Sequence, residues 1–316
     1  MLKLNTLSGF GSGAAGGAGG AAYGYFGGGQ SSGGYSNNTD RMTFATSVMA
    51  AHTDANMVQA VEGACGCSDT ITYGYWSGGY SGGSPPNVDT GNRLTFATGT
   101  AAAHTDADLT TAEGNMEGGS DGVTYGYFGG AGPEYVANRI TFSTGVNALH
   151  TDSTPSVLNY DACFVPDPNV GGYIYQQGGY DSGASDISNR ITISTGVNAA
   201  HTDGNMSTTT ITTQGFSDLV AYGYTTRSNG TGVDRITFST GVNAATTDTV
   251  WSATKNTSGQ NSDGVTYGYM IGHGGTAATA DDCDRLTYST GVSAAFTDGD
   301  FTYKRGHSSG FSDGNV

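Results

Sequence analysis

Short runs of alternating apolar and polar residues recur along the chain. Within 139–143, Ile140 and Phe142 alternate with polar neighbours, and Tyr125 and Tyr127 flank a glycine with the same period of two. This period is typical of β-strands, in which successive side chains point to opposite faces of a sheet. Because glycine-rich turns separate these short runs, the pattern predicts an all-β sandwich, barrel or propeller.

One segment of this kind is repeated six times, for example as NRITFSTGVNALHTD at 138–152 and DRLTYSTGVSAAFTD at 284–298. A Tyr-Gly-Tyr motif or a variant of it precedes each copy. The arginines of successive copies are separated by 52, 46, 51, 45 and 50 residues. One four-stranded propeller blade takes about 40–50 residues, so the repeat predicts a six-bladed β-propeller.

The two ends of the chain predict how the ring closes. Segment 305–316 carries the Ser-Asp-Gly sequence that elsewhere comes just before Tyr-Gly-Tyr, and its missing partner is the motif at 23–25. We therefore expect the C-terminal strand to be the innermost strand of the blade that the N-terminal strand begins, so that no sheet edge is left open. This divides the chain into a Gly/Ala-rich tail or docking arm at 1–22 and a propeller at 23–316.

Composition by itself would suggest disorder. The 316 residues include 54 glycines, and Leu, Ile, Val and Phe together reach only about 15%, below the ~20% typical of folded chains. Repetition changes this interpretation, because the glycines recur at turns and 33 Phe, Trp and Tyr residues can fill a core in place of aliphatic side chains. Disorder is then expected only in the N-terminal tail.

Charge and cysteine content exclude several function classes. A formal net charge of −16 and the lack of any Lys/Arg cluster argue against nucleic-acid binding through phosphates. No apolar run is long enough for a membrane span or a signal peptide. We expect the four cysteines to be free thiols, because Cys65-Gly-Cys67 is too tight for ordinary zinc ligation and no histidine lies at a suitable spacing.

These motifs resemble a known family. An aromatic strand ending in Gly-Gly, a second strand after a variable loop and closure by a terminal strand are similar to the kelch class of propeller repeat. More narrowly, YGYFGGG followed by repeats such as DRITFST resembles the kelch-like proteins of tailed bacteriophages, over residues 23–316. The resemblance implies a component of a tail fibre, spike or surface appendage, made in the host cytoplasm and carried in the virion. The chain lacks the regular Trp after Gly-Gly of eukaryotic kelch repeats, so their adaptor function is not carried over.

Arginine and aspartate are the repeated charged residues. They are Arg41, Arg93, Arg139, Arg190, Arg235 and Arg285, with Asp54, Asp106, Asp152, Asp203, Asp248 and Asp298. A ring of arginines could hold an anion. Because all six copies keep both residues, we favour a structural role in which each arginine bridges backbone carbonyls or pairs with a repeat aspartate between blades.

Other candidate chemistry is weaker. His52, His104, His150 and His201 occupy one repeat position that is Thr246 or Phe296 elsewhere, which favours packing over a metal ring. Adjacent Ser and Asp fail the sialidase Asp-box spacing, and no pair of non-repeat histidines is placed for copper. We assign no catalytic residue, no metal ligand and no cofactor. The acidic stretches 281–284 and 298–300 are expected to be solvated, with weak Ca²⁺ binding as the alternative.

The loops between the two strand motifs of each unit vary freely and contain Tyr, Ser, Gly and Asn. Such residues on a rigid scaffold suit the recognition of proteins or glycans. Our candidates are Tyr80, Pro85, Tyr135 and Tyr180. We expect a non-enzymatic virion protein that contributes to host-surface recognition, with other virion proteins, a host glycan or protein, and a second copy of the chain as partners. The alternatives are a decoration or adaptor module without a receptor, and a glycan-active enzyme.

Overall fold

Six antiparallel four-stranded sheets form the blades of a β-propeller, as the sequence predicted. The structure is a computed structural model that describes residues 21–83, 86–129, 137–155, 161–169, 172–180, 183–211, 213–227, 230–255, 259–272 and 281–314. The predicted N-terminal tail therefore lies almost wholly outside the described residues. Among these residues no helix is both long and apolar enough to span a membrane.

The strands of every blade follow one another from the innermost to the outermost in their hydrogen-bonded order. Blade I is β26 (Ser309–Ser312), β1 (Tyr23–Gly27), β4 (Thr39–Thr43) and β5 (Val48–Ala51), with a small hairpin of β2 (Gln30–Ser31) and β3 (Gly34–Tyr35) between β1 and β4. Blade II is β6 (Cys65–Ser68), β7 (Tyr73–Ser77), β8 (Gly91–Thr95) and β9 (Thr100–Ala103), and blade III is β10 (Glu117–Ser120), β11 (Tyr125–Gly129), β12 (Asn138–Thr141) and β13 (Val146–Leu149). Blade IV is β14 (Cys163–Asp167), β15 (Tyr173–Gln177), β16 (Ser188–Thr192) and β17 (Asn198–Ala200). Blade V is β18 (Gly215–Ser217), β19 (Tyr222–Thr226), β20 (Gly232–Thr237) and β21 (Val242–Val250), and blade VI is β22 (Gly259–Ser262), β23 (Tyr267–Ile271), β24 (Cys283–Thr287) and β25 (Val292–Ala295).

A short 3₁₀ turn follows the outermost strand in five blades. The turns are Thr53–Ala55, Thr105–Ala107, Thr151–Ser153, Thr202–Gly204 and Thr297–Gly299. In blade V the corresponding segment stays extended, and β21 is nine residues long. The six repeat aspartates lie in or beside these segments and are all exposed.

The ring closes as predicted. Strand β26 pairs antiparallel with β1, with Gly24 opposite Ser312 and Gly27 opposite Ser309. The six innermost strands contact one another in sequence around the axis, and β26 contacts both β22 and β6. The two ends of the propeller therefore share one blade, which removes the open edge that an incomplete ring would expose.

Aromatic side chains fill the space between blades. The second tyrosine of each Tyr-Gly-Tyr motif is at most 1% exposed, and in five blades its ring lies 5.6–6.1 Å from an aromatic ring of the next blade. Tyr25 packs on Phe96 in this way, and Tyr269 packs on Phe44 across the closure. Buried aromatic pairs of this kind contribute about 0.5–1.5 kcal/mol beyond their buried area. They supply the core that the sparse aliphatic residues cannot.

The central glycine of Tyr-Gly-Tyr lets neighbouring blades approach closely. A Cβ at Gly74 would clash with the ring of Phe311 on the innermost strand of the preceding blade. Blade IV has Ile174 at this position, and there the facing residue is Gly119, whose added Cβ would lie 3.2 Å from Ile174. At this contact the large side chain therefore belongs to the second strand of blade IV, and the glycine belongs to the innermost strand of the preceding blade. Glycines were expected at turns, and Gly28 with φ +70° is an example. The strand glycines of Tyr-Gly-Tyr are instead required by packing between blades.

Each repeat arginine stacks on a tyrosine of its own blade. The guanidinium carbon lies 3.9–4.4 Å from the ring centre of the first tyrosine of Tyr-Gly-Tyr, in all six blades. Within the described ranges no ion pair joins a repeat arginine to a repeat aspartate. The contact is therefore a cation–π interaction within one blade, and it differs from the Arg–Asp pair, which was one of the two arrangements expected from the sequence.

The residue just before each repeat arginine locks adjacent blades together. This residue is at most 1% exposed in every blade: Asp40, Asn92, Asn138, Asn189, Asp234 and Asp284. In blades I, II, III, V and VI it accepts hydrogen bonds from the segment that follows the outermost strand of the preceding blade. The Oδ1 atom of Asn138, for example, accepts from the backbone N–H and the hydroxyl of Thr110 at 3.1 and 2.8 Å. We call these six residues the latch positions.

A basic side chain accompanies each latch aspartate, and it is fully buried for two of the three. Arg305 lies 3.2 Å from Asp40, Arg227 lies 2.8 Å from Asp234, and Lys255 lies 3.3 Å from Asp284. Among the described residues, no basic side chain hydrogen-bonds to the latch residues Asn92 or Asn138. The aspartates thus occur where a cation compensates their charge. The expectation of a solvated 281–284 stretch is wrong for Asp284, which is 0% exposed.

Candidate functional site: the central channel and its two mouths

The innermost strands surround a central channel with two different mouths. Turns between the first and second strands of the blades form one mouth, which we call the turn face. The segments that lead into the innermost strands form the other, together with the variable loops between the second and third strands, and we call it the loop face. Backbone contacts such as Gln30 N–H to Gly306 O and Glu62 N–H to Tyr80 O place these loops beside those segments.

Aspartates shape the turn face. The Oδ1 atom of Asp121 accepts hydrogen bonds from three successive backbone N–H groups, those of residues 123, 124 and 125. Asp69, Asp218 and Asp263 do the same in their own blades. In blade I this bond joins the two ends of the ring, since Tyr23 N–H donates to Asp313 at 2.7 Å. The recurring Ser-Asp sequence is therefore a turn-forming element.

The serine of the same sequence links the innermost strands around the channel. Ser120 donates to the backbone oxygen of Ser68 at 2.9 Å, and Ser68 donates to that of Ser312 at 2.8 Å. Ser262 donates to the backbone oxygen of Ser217 at 2.8 Å. Blade IV has Pro166 at this position. These bonds fix the width of the channel at the turn face.

Apolar side chains line the channel near the turn face. A cavity of about 130 Å³ is bordered by the rings of Phe164, Phe216 and Phe311. Around this mouth Ile71, Val123, Val220 and Val265 are 38–57% exposed at equivalent turn positions. The four aspartates of these turns are only 7–9% exposed and bond within their own turns. The turn face therefore presents apolar side chains with no exposed charge in these four turns.

The loop-face mouth is polar and acidic. Glu117, at the start of β10, accepts hydrogen bonds from the side-chain amide groups of Gln214 at 3.1 Å and Gln260 at 3.2 Å. Gln214 comes just before blade V and Gln260 lies in blade VI, so this carboxylate connects three blades across the channel. A small cavity of about 30 Å³ beside it is also lined by Asp161 and Ser308.

The charges at this mouth are poorly compensated. Burial raises the pKa of Glu117 to about 8, although the hydrogen bonds from the two glutamines act in the opposite direction. Burial likewise raises the pKa of Asp161 to about 6 and lowers the pKa of His307, which lines the same cavity. In the described part of the chain, no ion pair includes either carboxylate. This mouth therefore favours a bound proton or cation.

A second polar and aromatic cluster lies on the loop face between blades I and II. The ring of Tyr35, at the end of the small hairpin, lies 5.5 Å from the ring of Tyr80 in an edge-to-face arrangement. Glu62 bonds to Tyr80 through the backbone, and its buried Oε2 atom accepts no hydrogen bond. We call Tyr35, Glu62 and Tyr80 the tyrosine cluster.

The structure places the sequence-predicted loop residues in different surroundings. Tyr80 belongs to the tyrosine cluster, whereas Tyr180 is 41% exposed in the corresponding loop of blade IV. Pro85 and Tyr135 lie outside the described residues. Tyr35 was not singled out from the sequence.

The repeat histidines join adjacent blades. The Nε2 atom of His52 lies 2.9 Å from the backbone oxygen of Gly99, and that of His201 lies 2.8 Å from the oxygen of Gly241. This agrees with the packing role predicted for them. In the described ranges no three His, Cys, Asp or Glu side chains come together as metal ligands.

The four cysteines are free thiols, as predicted, and the structure places all four in the interior. Burial raises the pKa of every thiol, to about 12 for Cys163. A thiol that stays protonated is a poor nucleophile. These cysteines therefore serve as core residues.

Sequence reasoning missed Glu117, although a signal was present. The corresponding residue of the other innermost strands is Cys65, Cys163, Gln214, Gly259 or Ser309, and none of these carries a charge. A single carboxylate at this repeat position is not required by the fold. Comparison of repeat copies for exceptions, as well as for shared residues, would have identified it.

The chain matches no known protein-family model and no curated protein.

Proposed function

We propose that this protein is a non-enzymatic recognition module of a bacteriophage virion, displayed on a fibre, spike or capsid surface and contributing to host-surface binding. The resemblance of its repeats to kelch-like phage proteins supports the virion context. The difference between its two faces supports recognition, because structurally similar turns cover one face and variable loops cover the other. Rigid scaffolds with variable loops are a common basis for binding.

The tyrosine cluster is the observation that carries recognition. Two tyrosine rings at 5.5 Å offer rigid apolar surface at low entropic cost, and the half-buried Glu62 carboxylate interacts electrostatically with Tyr35 beside them. Aromatic surface beside a few oriented polar groups is the usual composition of a site that binds a small polar ligand such as a sugar. We therefore assign host glycans as the ligand class and the tyrosine cluster as their binding site.

The test is binding of the purified chain to an array of bacterial surface glycans and to intact bacterial cells. We expect Tyr80→Ala to weaken binding at least tenfold, because truncation of a tyrosine anchor typically costs about 2 kcal/mol or more. Glu62→Gln should weaken it less. The control is Val265→Thr on the turn face, which should leave binding unchanged. Binding that is insensitive to all three changes would disprove the assignment, and turnover of a glycan by the purified chain would make the protein an enzyme.

A decoration or adaptor role is the second candidate, and the turn face favours it. Four exposed aliphatic side chains surround its channel mouth without an exposed charge in their turns, as suits contact with another protein. Val123→Lys combined with Val265→Lys should then abolish incorporation into particles. Lost incorporation without any binding to cells or glycans by the wild-type chain would favour the adaptor over the recognition module.

A further inference from the structure

The loop-face channel mouth has the features of a small ion site, independently of the proposed recognition function. Glu117 and Asp161 both line it, with Ser308 beside them. The cavity of about 30 Å³ corresponds to the volume of one water molecule, so it can hold a single ion.

Unpartnered oxygens provide a second and independent observation. Ser308 is 5% exposed and Gln260 is 9% exposed. The hydroxyl of Ser308 and the side-chain oxygens of Gln260 and Gln214 are buried without hydrogen-bond partners. Ser308 and Gln214 line the cavity, and Gln260 donates to Glu117 beside it. Leaving a buried polar atom unpaired costs about 1–3 kcal/mol, so these oxygens indicate that something else binds there.

The chemistry of these donors selects the ligand. Carboxylate, amide and hydroxyl oxygens are the ligands that hard cations such as Ca²⁺ prefer, and no thiol lines this cavity. The two glutamine amides now direct their N–H groups toward Glu117. Rotation of each amide would bring its oxygen toward a cation held by the carboxylate.

We propose that a single hard cation of the Ca²⁺ class binds at the loop-face mouth of the channel, held by Glu117, Asp161, Ser308 and the amide oxygens of Gln214 and Gln260. The ion would join the innermost strands of several blades at the axis. Two carboxylates give few charged ligands, so we expect weak affinity, with Kd of about 10⁻⁴–10⁻³ M.

The test uses the full chain, freed of metal with a chelator and dialysed, at pH 9, where the carboxylates are ionised. Calcium chloride is titrated by calorimetry, and the melting temperature is followed in parallel. We expect saturable binding and a melting temperature that rises with calcium concentration. Glu117→Gln should lower the affinity at least tenfold. Asp54→Asn removes the same charge from an exposed repeat position and should change nothing.

Folding of the variants does not limit this test, because Glu117→Gln removes a buried charge and should not unfold the protein. Calcium binding that is equal in the wild type and in Glu117→Gln would overturn the proposal. So would a wild-type melting temperature that is independent of Ca²⁺ and Mg²⁺. In that second case no divalent cation compensates the ionised carboxylates.

Discussion

If the basic side chains at the latch positions compensate the charge of the aspartates, removal of Lys255 should strongly destabilise the protein through Asp284. Both side chains are 0% exposed, and Lys255 also donates to the backbone oxygen of Asp282 at 2.8 Å. Lys255→Met leaves the Asp284 carboxylate buried without its cation. Breaking a buried pair in this way costs about 3–5 kcal/mol of the free energy of unfolding.

The double variant Lys255→Met with Asp284→Asn should be much less damaging. It reproduces the latch of blade III, where Asn138 accepts the same pair of hydrogen bonds without a cation, as Asp284 does from Ser252. We expect it to lie within about 1–2 kcal/mol of the wild type, and therefore to be about 2–3 kcal/mol more stable than Lys255→Met alone. The interaction energy of the pair exceeds this difference by the cost of Asp284→Asn alone, which leaves the Lys255 ammonium buried without its anion. The bond to residue 282 is lost in both Lys255 variants and cancels in the cycle.

The assay is reversible urea unfolding of the wild type, both single variants and the double variant, followed by tryptophan fluorescence. Lys304→Met is the matched control, because its side chain is 57% exposed and 3.9 Å from Asp281, and such surface pairs contribute at most about 1 kcal/mol. An interaction energy near zero, with the double variant as unstable as Lys255→Met, would refute charge compensation as the reason for aspartate at this position.

Three further predictions concern packing, closure and pH. Gly268→Ala forces a Cβ into an aromatic ring of the preceding blade and should cost about 1–3 kcal/mol in urea unfolding, whereas Gly230→Ala, in open space, should be nearly neutral. Deletion of 306–316 removes the closing strand and should lower the melting temperature far more than deletion of 1–17, and equal melting temperatures would refute the closure argument. Because the pKa of Glu117 is higher in the folded state, the folded protein binds more protons, so without divalent cations the free energy of unfolding should fall as the pH rises from about 5 to 8. Glu117 contributes at most about 1.4 kcal/mol per pH unit to this slope, and the contribution should be missing from Glu117→Gln. Parallel pH profiles of the wild type and Glu117→Gln would contradict this prediction.

Two raised carboxyl groups act in the same direction at lower pH. Burial raises the pKa of both Asp161 and Asp313 to about 6, so both weaken the folded state as the pH rises from about 4 to 6. Both aspartates are present in the wild type and in Glu117→Gln. The difference between the two profiles therefore reports Glu117.

The sequence by itself determined the architecture. Alternation with a period of two predicted strands, the six copies predicted six blades, and the unmatched Ser-Asp-Gly at the C-terminus predicted the pairing of β26 with β1. The strand pattern and the repeat motifs occur six times, so one sequence contains six observations of each, and the closure follows from the single copy that has no partner beside it in the sequence. The virion context and the recognition function stay predictions, because they rest on a resemblance.

Only the tertiary structure decided what individual residues contact. The repeat arginines stack on tyrosines instead of pairing with Asp54 and its equivalents. Strand pairing places each arginine opposite the second tyrosine of its own blade, so the first tyrosine, on which it stacks, is its diagonal neighbour on the same face of the sheet. The exchange of Gly119 and Ile174 and the cations of the latch positions depend on contacts between blades, which a repeat pattern does not reveal. The acidic mouth is the clearest case. Glu117 meets Gln214 and Gln260, 97 and 143 residues away, only because ring closure brings their strands to one axis.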